Sequence, residues 1–113
     1  MEKAVQPRSR ILIVDDNAMN IALVEEILSE DYDLTCATSG EEAIRLAKET
    51  RPDLILLDIV MPGIDGYETC QLLRADEDLC HVKLILVSSN KEIADRLRGY
   101  EVGADDYITK PFS

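Results

Sequence analysis

Apolar and polar positions alternate along this chain at the scale of whole segments. Short apolar runs, rich in β-branched residues and leucine, occur at Ile11–Val14, Leu34–Ala37, Leu54–Leu57 and Leu84–Val87, with a weaker one at Tyr107–Ile108. Three of them are apolar throughout, as strands covered on both faces should be. Between the runs the spacing turns helical: Ile21, Val24 and Leu28, then Ala43 and Ala47, Cys70 and Leu73, and Ile93, Leu97 and Tyr100. Punctuation agrees with this division. Asn17 can cap the first helix, Ser39 or Gly40 can open the second, Pro52 follows it, and Asp65 can cap the third. Gly103 stands where a helix would end in a left-handed residue.

Strands alternating with helices predict an α/β fold with a parallel sheet and right-handed crossovers. Residues 1–9 read as a flexible lead-in of mixed charge, broken by Pro7, and residues 10–113 as a single domain. One consequence bears on function: every strand of such a sheet delivers its C-terminal end to the same edge, where ligands bind.

Composition narrows the class. The 113 residues are 46% hydrophobic but only 4% aromatic, without tryptophan, so the core must be aliphatic. Twelve basic against 23 acidic residues give a net charge of −11. That balance excludes a nucleic-acid or anionic-membrane partner, both of which need clustered Lys and Arg. No apolar run approaches the ~20 residues of a membrane span. Cys36, Cys70 and Cys80 are odd in number and lack CxxC spacing, which predicts buried free thiols in a reducing cytoplasm. His81 precedes a strand at the edge opposite the acids and reads as a surface residue.

The chemistry sits directly after the apolar runs. The first is followed by Asp15, Asp16 and Asn17, the third by Asp58, the fourth by Ser88, Ser89 and Asn90, and the fifth by Thr109, Lys110 and Pro111. The fold therefore gathers three carboxylates, a hydroxyl and an ammonium at one edge. Carboxylates so close raise one another's pKa values, a conflict that a hard divalent cation removes. With no His or Cys among them, the cluster favours Mg²⁺, or Mn²⁺, over zinc. Asp58 ends the most central run and is best placed as a nucleophile that accepts a phosphoryl group. Lys110 and the cation would neutralise that group, and Ser88 would donate a hydrogen bond to it. Taken singly, an Asp-Asp pair is a turn and helix cap, and Lys-Pro is a strand ending in a turn. The case rests on all four arising at one edge in this order.

In four stretches the chain resembles the receiver domain of bacterial two-component response regulators: ILIVDD (Ile11–Asp16), LLDIVMPGIDG (Leu56–Gly66), LILVSS (Leu84–Ser89) and GADDYITKPF (Gly103–Phe112). The resemblance implies a doubly wound, flavodoxin-like five-stranded sheet of order 2-1-3-4-5. It implies Asp58 as phosphoacceptor, Asp15 and Asp16 as the acidic pair with Asp16 the more direct Mg²⁺ ligand, and the Val60 carbonyl as a further ligand. Lys110 would contact the phosphoryl group, with Ser88 and Tyr107 as the switch pair. The implied donor is a phosphohistidine on a histidine kinase or histidine phosphotransfer protein. The new charge would draw Ser88 inward and let Tyr107 turn toward the interior, changing a face of helix 4 and strand 5 that includes Ile93, Leu97, Tyr100 and Tyr107. That face would control an output domain or partner protein.

Departures from the family pattern carry their own expectations. Val60 is apolar and Asn90 uncharged at positions flanking the route of attacking water, so they are expected to tune dephosphorylation. Only Ser113 follows the KPF motif, where receivers continue into a fifth helix. Its loss would bare about a few hundred Å² of apolar surface and favour a partner chain, self-association or low stability. A haloacid-dehalogenase-like phosphatase would need a second Asp where Val60 stands. A flavin-binding protein would need a Ser/Thr/Gly loop where Asp15 and Asp16 stand. A degenerate receiver would lack part of the constellation.

Overall fold

The structure is a computed structural model that describes residues 8–88 and 93–110, and side chains from Asp95 onward in the second stretch. Nine elements alternate: β1 (Arg10–Val14), α1 (Ala18–Leu28), β2 (Asp33–Ala37), α2 (Gly40–Thr50), β3 (Leu54–Asp58), α3 (Gly66–Ala75), β4 (Lys83–Ser88), α4 (Ile93–Glu101) and β5 (Asp106–Thr109). The strands form one parallel sheet of order β2-β1-β3-β4-β5. The alternating runs predicted the parallel sheet, and the strand order is the doubly wound one that the resemblance implied.

Strand periodicity sorts the core into two layers. Leu12, Val14, Ile55, Leu57, Leu84, Leu86 and Tyr107 point to one face and pack with Ala43 and Ala47 of α2 and Cys70 and Leu73 of α3. Ile11 and Ile13 point to the other, against Ile21 and Val24 of α1. Coverage of the two faces is unequal. Leu12, Ile55, Leu57, Leu84 and Leu86 are fully buried. On the α1 side, Leu54, Leu56, Ile85 and Ile108 stay half-exposed, and an open apolar groove runs past Ile11, Leu28, Tyr32, Leu54 and Leu56.

Local chemistry sets the helix ends. Asn17 accepts from the Met19 and Asn20 amides, Ser39 from Glu42 and Asp65 from Glu68, each satisfying amides that a helix start leaves without partners. Ser39 is thus the cap and Gly40 the first helical residue. Gly103, after α4, has φ 103°, the left-handed conformation expected of it.

Leu97 and Tyr100 of α4 are exposed, as residues of a surface face must be, and the described residue that seats α4 on the sheet is Gly99. The Ile93 side chain lies outside the described ones. The expectation of buried thiols is corrected. Of the three cysteines, all free, Cys70 is buried but Cys36 and Cys80 are half-buried. Cys36 lies on β2, an edge strand of the sheet, and Cys80 in the turn before β4. His81 is exposed beside it, at the sheet edge opposite Asp58.

Candidate functional site

Three strands end at the same edge with the same parity. Asp15, the residue after β1, Asp58, the last of β3, and Lys110, the residue after β5, all fall on the α1 side. Ser88, the last of β4, falls on the opposite side, in step with Leu86, whose register partner is Tyr107, and itself pairs with Thr109. Position, pleat and register thus place a charged trio on one side and a hydroxyl–aromatic pair on the other.

Within the trio, Lys110 Nζ lies 3.3 Å from Asp15 Oδ2 and 3.5 Å from Asp58 Oδ2. Asp15 and Asp58 are both only 6% exposed, whereas Asp16 is exposed to solvent. One carboxylate oxygen from each of Asp15, Asp16 and Asp58 lies within 4.8 Å of the others. That spacing suits a single hard cation, and the donors are all oxygen. Asp15 Oδ1 accepts the Asn17 amide at 2.9 Å, which fixes the carboxylate beside the start of α1.

Electrostatics record the crowding. Burial, and then the neighbouring Asp15 carboxylate, push Asp58 up to about 6, although Lys110 pulls in the other direction. A single ammonium does not neutralise two buried carboxylates and the exposed one beside them. The site is built with a deficit of positive charge.

The backbone around Asp58 is held from behind. The Ile59 amide donates to Val87 O at 3.1 Å, and the Gly66 amide to Ile59 O at 2.8 Å. A Cβ on Gly66 would come within 2.5 Å of Asp58 O and 2.6 Å of Ile59 Cα, so only glycine lets α3 start this close to the strand end. The sequence signal for this was the Asp65-Gly66 pair shortly after Asp58, but its reading as a cap missed the glycine's part.

The other expected residues fall as follows. Ser88 is 3% exposed, and its carbonyl accepts the Lys110 amide at 2.7 Å, which ties the last turn of β5 to β4. Tyr107 is 5% exposed, its ring already inside the fold. Val60 is 72% exposed beside Asp58. Ser89, Asn90 and Pro111 lie outside the described residues.

A doubly wound sheet carrying an acidic cluster and a lysine at its C-terminal edge defines a class of signalling domain, and comparison with known proteins agrees. The family model described as "Response regulator receiver domain" matches residues 11–113, and the chain belongs to that family. It is 43% identical over 110 residues to the "Probable transcriptional regulator ycf27" of Guillardia theta, covering 96% of this chain and 42% of that protein. Among solved structures, the chemotaxis protein CheY4 of Vibrio cholerae superposes with a TM-score of 0.89 at 26% identity, covering 94% of this chain and 89% of that one. The Mn²⁺-bound form of response regulator Rcp1 does so at 0.83 and 27% identity, covering 93% and 83%. The chain spans about two fifths of the length of the ycf27 regulators it matches.

Proposed function

We propose that this chain is a phosphorylation switch in which Asp58 accepts a phosphoryl group beside a divalent cation held by Asp15, Asp16 and Asp58, with the Val60 carbonyl as a further ligand. The observation that carries this reading is the convergence of three carboxylate oxygens within 4.8 Å, with the Lys110 ammonium 3.3 and 3.5 Å from two of the groups. Mg²⁺ is the first candidate and Mn²⁺ the second, a choice supported by the all-oxygen donors and by the Mn²⁺ in the related Rcp1. The cation, when bound, offsets the excess negative charge at the edge.

In the transfer, an Asp58 oxygen attacks phosphorus of a phosphohistidine on a kinase or phosphotransfer protein. The new O–P bond forms as the P–N bond breaks, and its electron pair leaves with the donor imidazole. Lys110 meets the charge of the arriving group, and Ser88 donates its hydroxyl to one of that group's oxygens. Rearrangement of Ser88 and Tyr107 then alters the surface of α4 and β5, through which an output domain or a partner protein is controlled. The half-exposed strip of Leu54, Leu56, Ile85 and Ile108 is a second surface, suited to a covering segment or to self-association in this 113-residue chain. The reaction makes the chain a signalling acceptor rather than an enzyme with external turnover, and we place it in the cytoplasm. No described helix is long and apolar enough to cross a membrane.

Intact-mass measurement after incubation with acetyl phosphate and Mg²⁺ tests the proposal. One added phosphoryl group, absent in Asp58→Asn and absent in chelator, is the expected outcome. An unmodified wild-type chain, or an adduct that persists in Asp58→Asn, sinks it.

A further inference from the structure

Helix α4 is fastened very differently at its two ends. Its exit is gripped by Arg74 of α3. Arg74 Nε donates to Gly103 O at 2.7 Å, Nη1 donates to Val82 O and Cys80 O at 2.6 and 3.0 Å, and Nη2 meets Asp105 Oδ2 at 2.8 Å. Asp105 also accepts the Leu84 amide at 2.9 Å. The turn after α4 is thereby bonded to both α3 and β4. In its middle the helix lies on the sheet through Gly99, whose added Cβ would come within 2.9 Å of Leu86 Cδ1 and 3.1 Å of Tyr107 Cδ2. That is an apolar contact, and it fixes distance but not angle.

The first turn of α4 is met by Tyr67 of α3. Its hydroxyl donates to Asp95 O at 3.0 Å. Its ring lies under the Arg98 guanidinium, 4.2 Å from the ring centroid, three residues further along the same side of the helix. Tyr67 is 5% exposed. Phenylalanine would fill the same space. What the hydroxyl adds is a polar tie from α3 to the start of α4, made where desolvation makes such a tie selective.

We propose that Tyr67 is a positioning residue for the α4–β5 face, its hydroxyl latching the first turn of α4 to α3 while Arg74 holds the far end of the helix as a pivot. With the latch open, the start of α4 swings away from α3 about the fixed turn at Gly103. Leu97 and Tyr100, exposed on that helix, move with it. The link from this swing to chemistry at Asp58 rests on the function proposed above; the latch itself does not.

Hydrogen–deuterium exchange of the 113-residue chain separates the two. In chelator alone, Tyr67→Phe is expected to speed exchange of the amides of residues 96–99 about three- to tenfold, the worth of one neutral hydrogen bond. Amides of β1, β3 and the turn at 102–105 should keep their wild-type rates. Tyr100→Phe, which removes an exposed hydroxyl of the same helix and its 3.4 Å bond to Asp106 Oδ1, should leave the amides of residues 96–99 at their wild-type rates. Equal rates at 96–99 in wild type and Tyr67→Phe would overturn the latch. So would an equal acceleration of β1 and β3, which would make Tyr67 an ordinary core residue. A second arm adds Mg²⁺ and beryllofluoride, a phosphoryl mimic. There, a wild-type chain that fails to respond counts against the phosphorylation reading, while the chelator arm still decides the latch.

Discussion

Replacing Asp58 by asparagine should make the metal-free protein more stable, although it removes the group on which the proposed function depends. The carboxyl titrates near 6 in the folded chain because it is buried and faces Asp15, against 3.8 ordinarily. Between those two pH values the folded chain holds a proton that the unfolded chain releases. Metal-free stability therefore climbs as pH falls through 6 and stops climbing near 3.8. At pH 7.5 the whole penalty is present. A displacement of roughly 2 pH units corresponds to about 3 kcal/mol at most. Screening by solvent at the open edge reduces that to about 1–2 kcal/mol. For a domain of this size such a gain raises Tm by about 4–8 °C. Thermal unfolding of wild type and Asp58→Asn in chelator, at pH 7.5 and pH 4, measures the gap. It should be widest at pH 7.5 and nearly closed at pH 4. Carboxylates held below their ordinary range, such as Asp105, titrate alike in both proteins and cancel. Burial pushes Asp105 upward, but the Leu84 amide and Arg74 outweigh it. An asparagine variant less stable than wild type at pH 7.5, or a gap that ignores pH, would refute the reasoning.

Three further outcomes follow from the same geometry. Mg²⁺ at ten times its dissociation constant should stabilise the wild-type chain by about 1.4 kcal/mol, and Asp16→Asn should remove most of that gain in a thermal-shift titration. Gly66→Ala places a methyl group 2.5 Å from Asp58 O and should cost about 1–3 kcal/mol in urea unfolding; it should also lower the yield of acyl phosphate at Asp58, and a fully active, equally stable variant contradicts this. Arg74→Met removes the guanidinium from the carbonyls of Cys80, Val82 and Gly103 and from the Asp105 carboxylate, which keeps only the Leu84 amide among the bonds described, for a loss of about 2–4 kcal/mol by the same measurement.

Much of the fold was legible because both of its periods are written in apolar side chains. The runs at Leu54–Leu57 and Leu84–Val87 are strands, and each observed strand extends past its run by a polar residue at one or both ends. Arg10, Asp33, Lys83 and Asp106 begin strands and Asp58 and Ser88 end them, since ladder hydrogen bonds at the rim do not need an apolar side chain. The edge that gathers Asp15, Asp58 and Lys110 was legible for the same reason. The residue that seats helix α4 was not legible, because Gly99 has no side chain to mark the buried stripe. The exposed apolar residues of α1, Met19, Leu23 and Ile27, likewise blur its periodicity. Tyr67 and Arg74 left no signal in spacing at all. Their roles come from partners about 30 residues away that only the tertiary arrangement supplies.

The opposite parities of Asp58 and Ser88 have a mechanical corollary. A pleated sheet five strands wide separates the charged trio from the helix α4 compartment, and the layer of leucines between them is too tightly filled to transmit a graded displacement. The most direct route from Asp58 to the other compartment runs around the rim, where the strands stop, and Gly66 and Tyr67 at the start of α3 stand on that route.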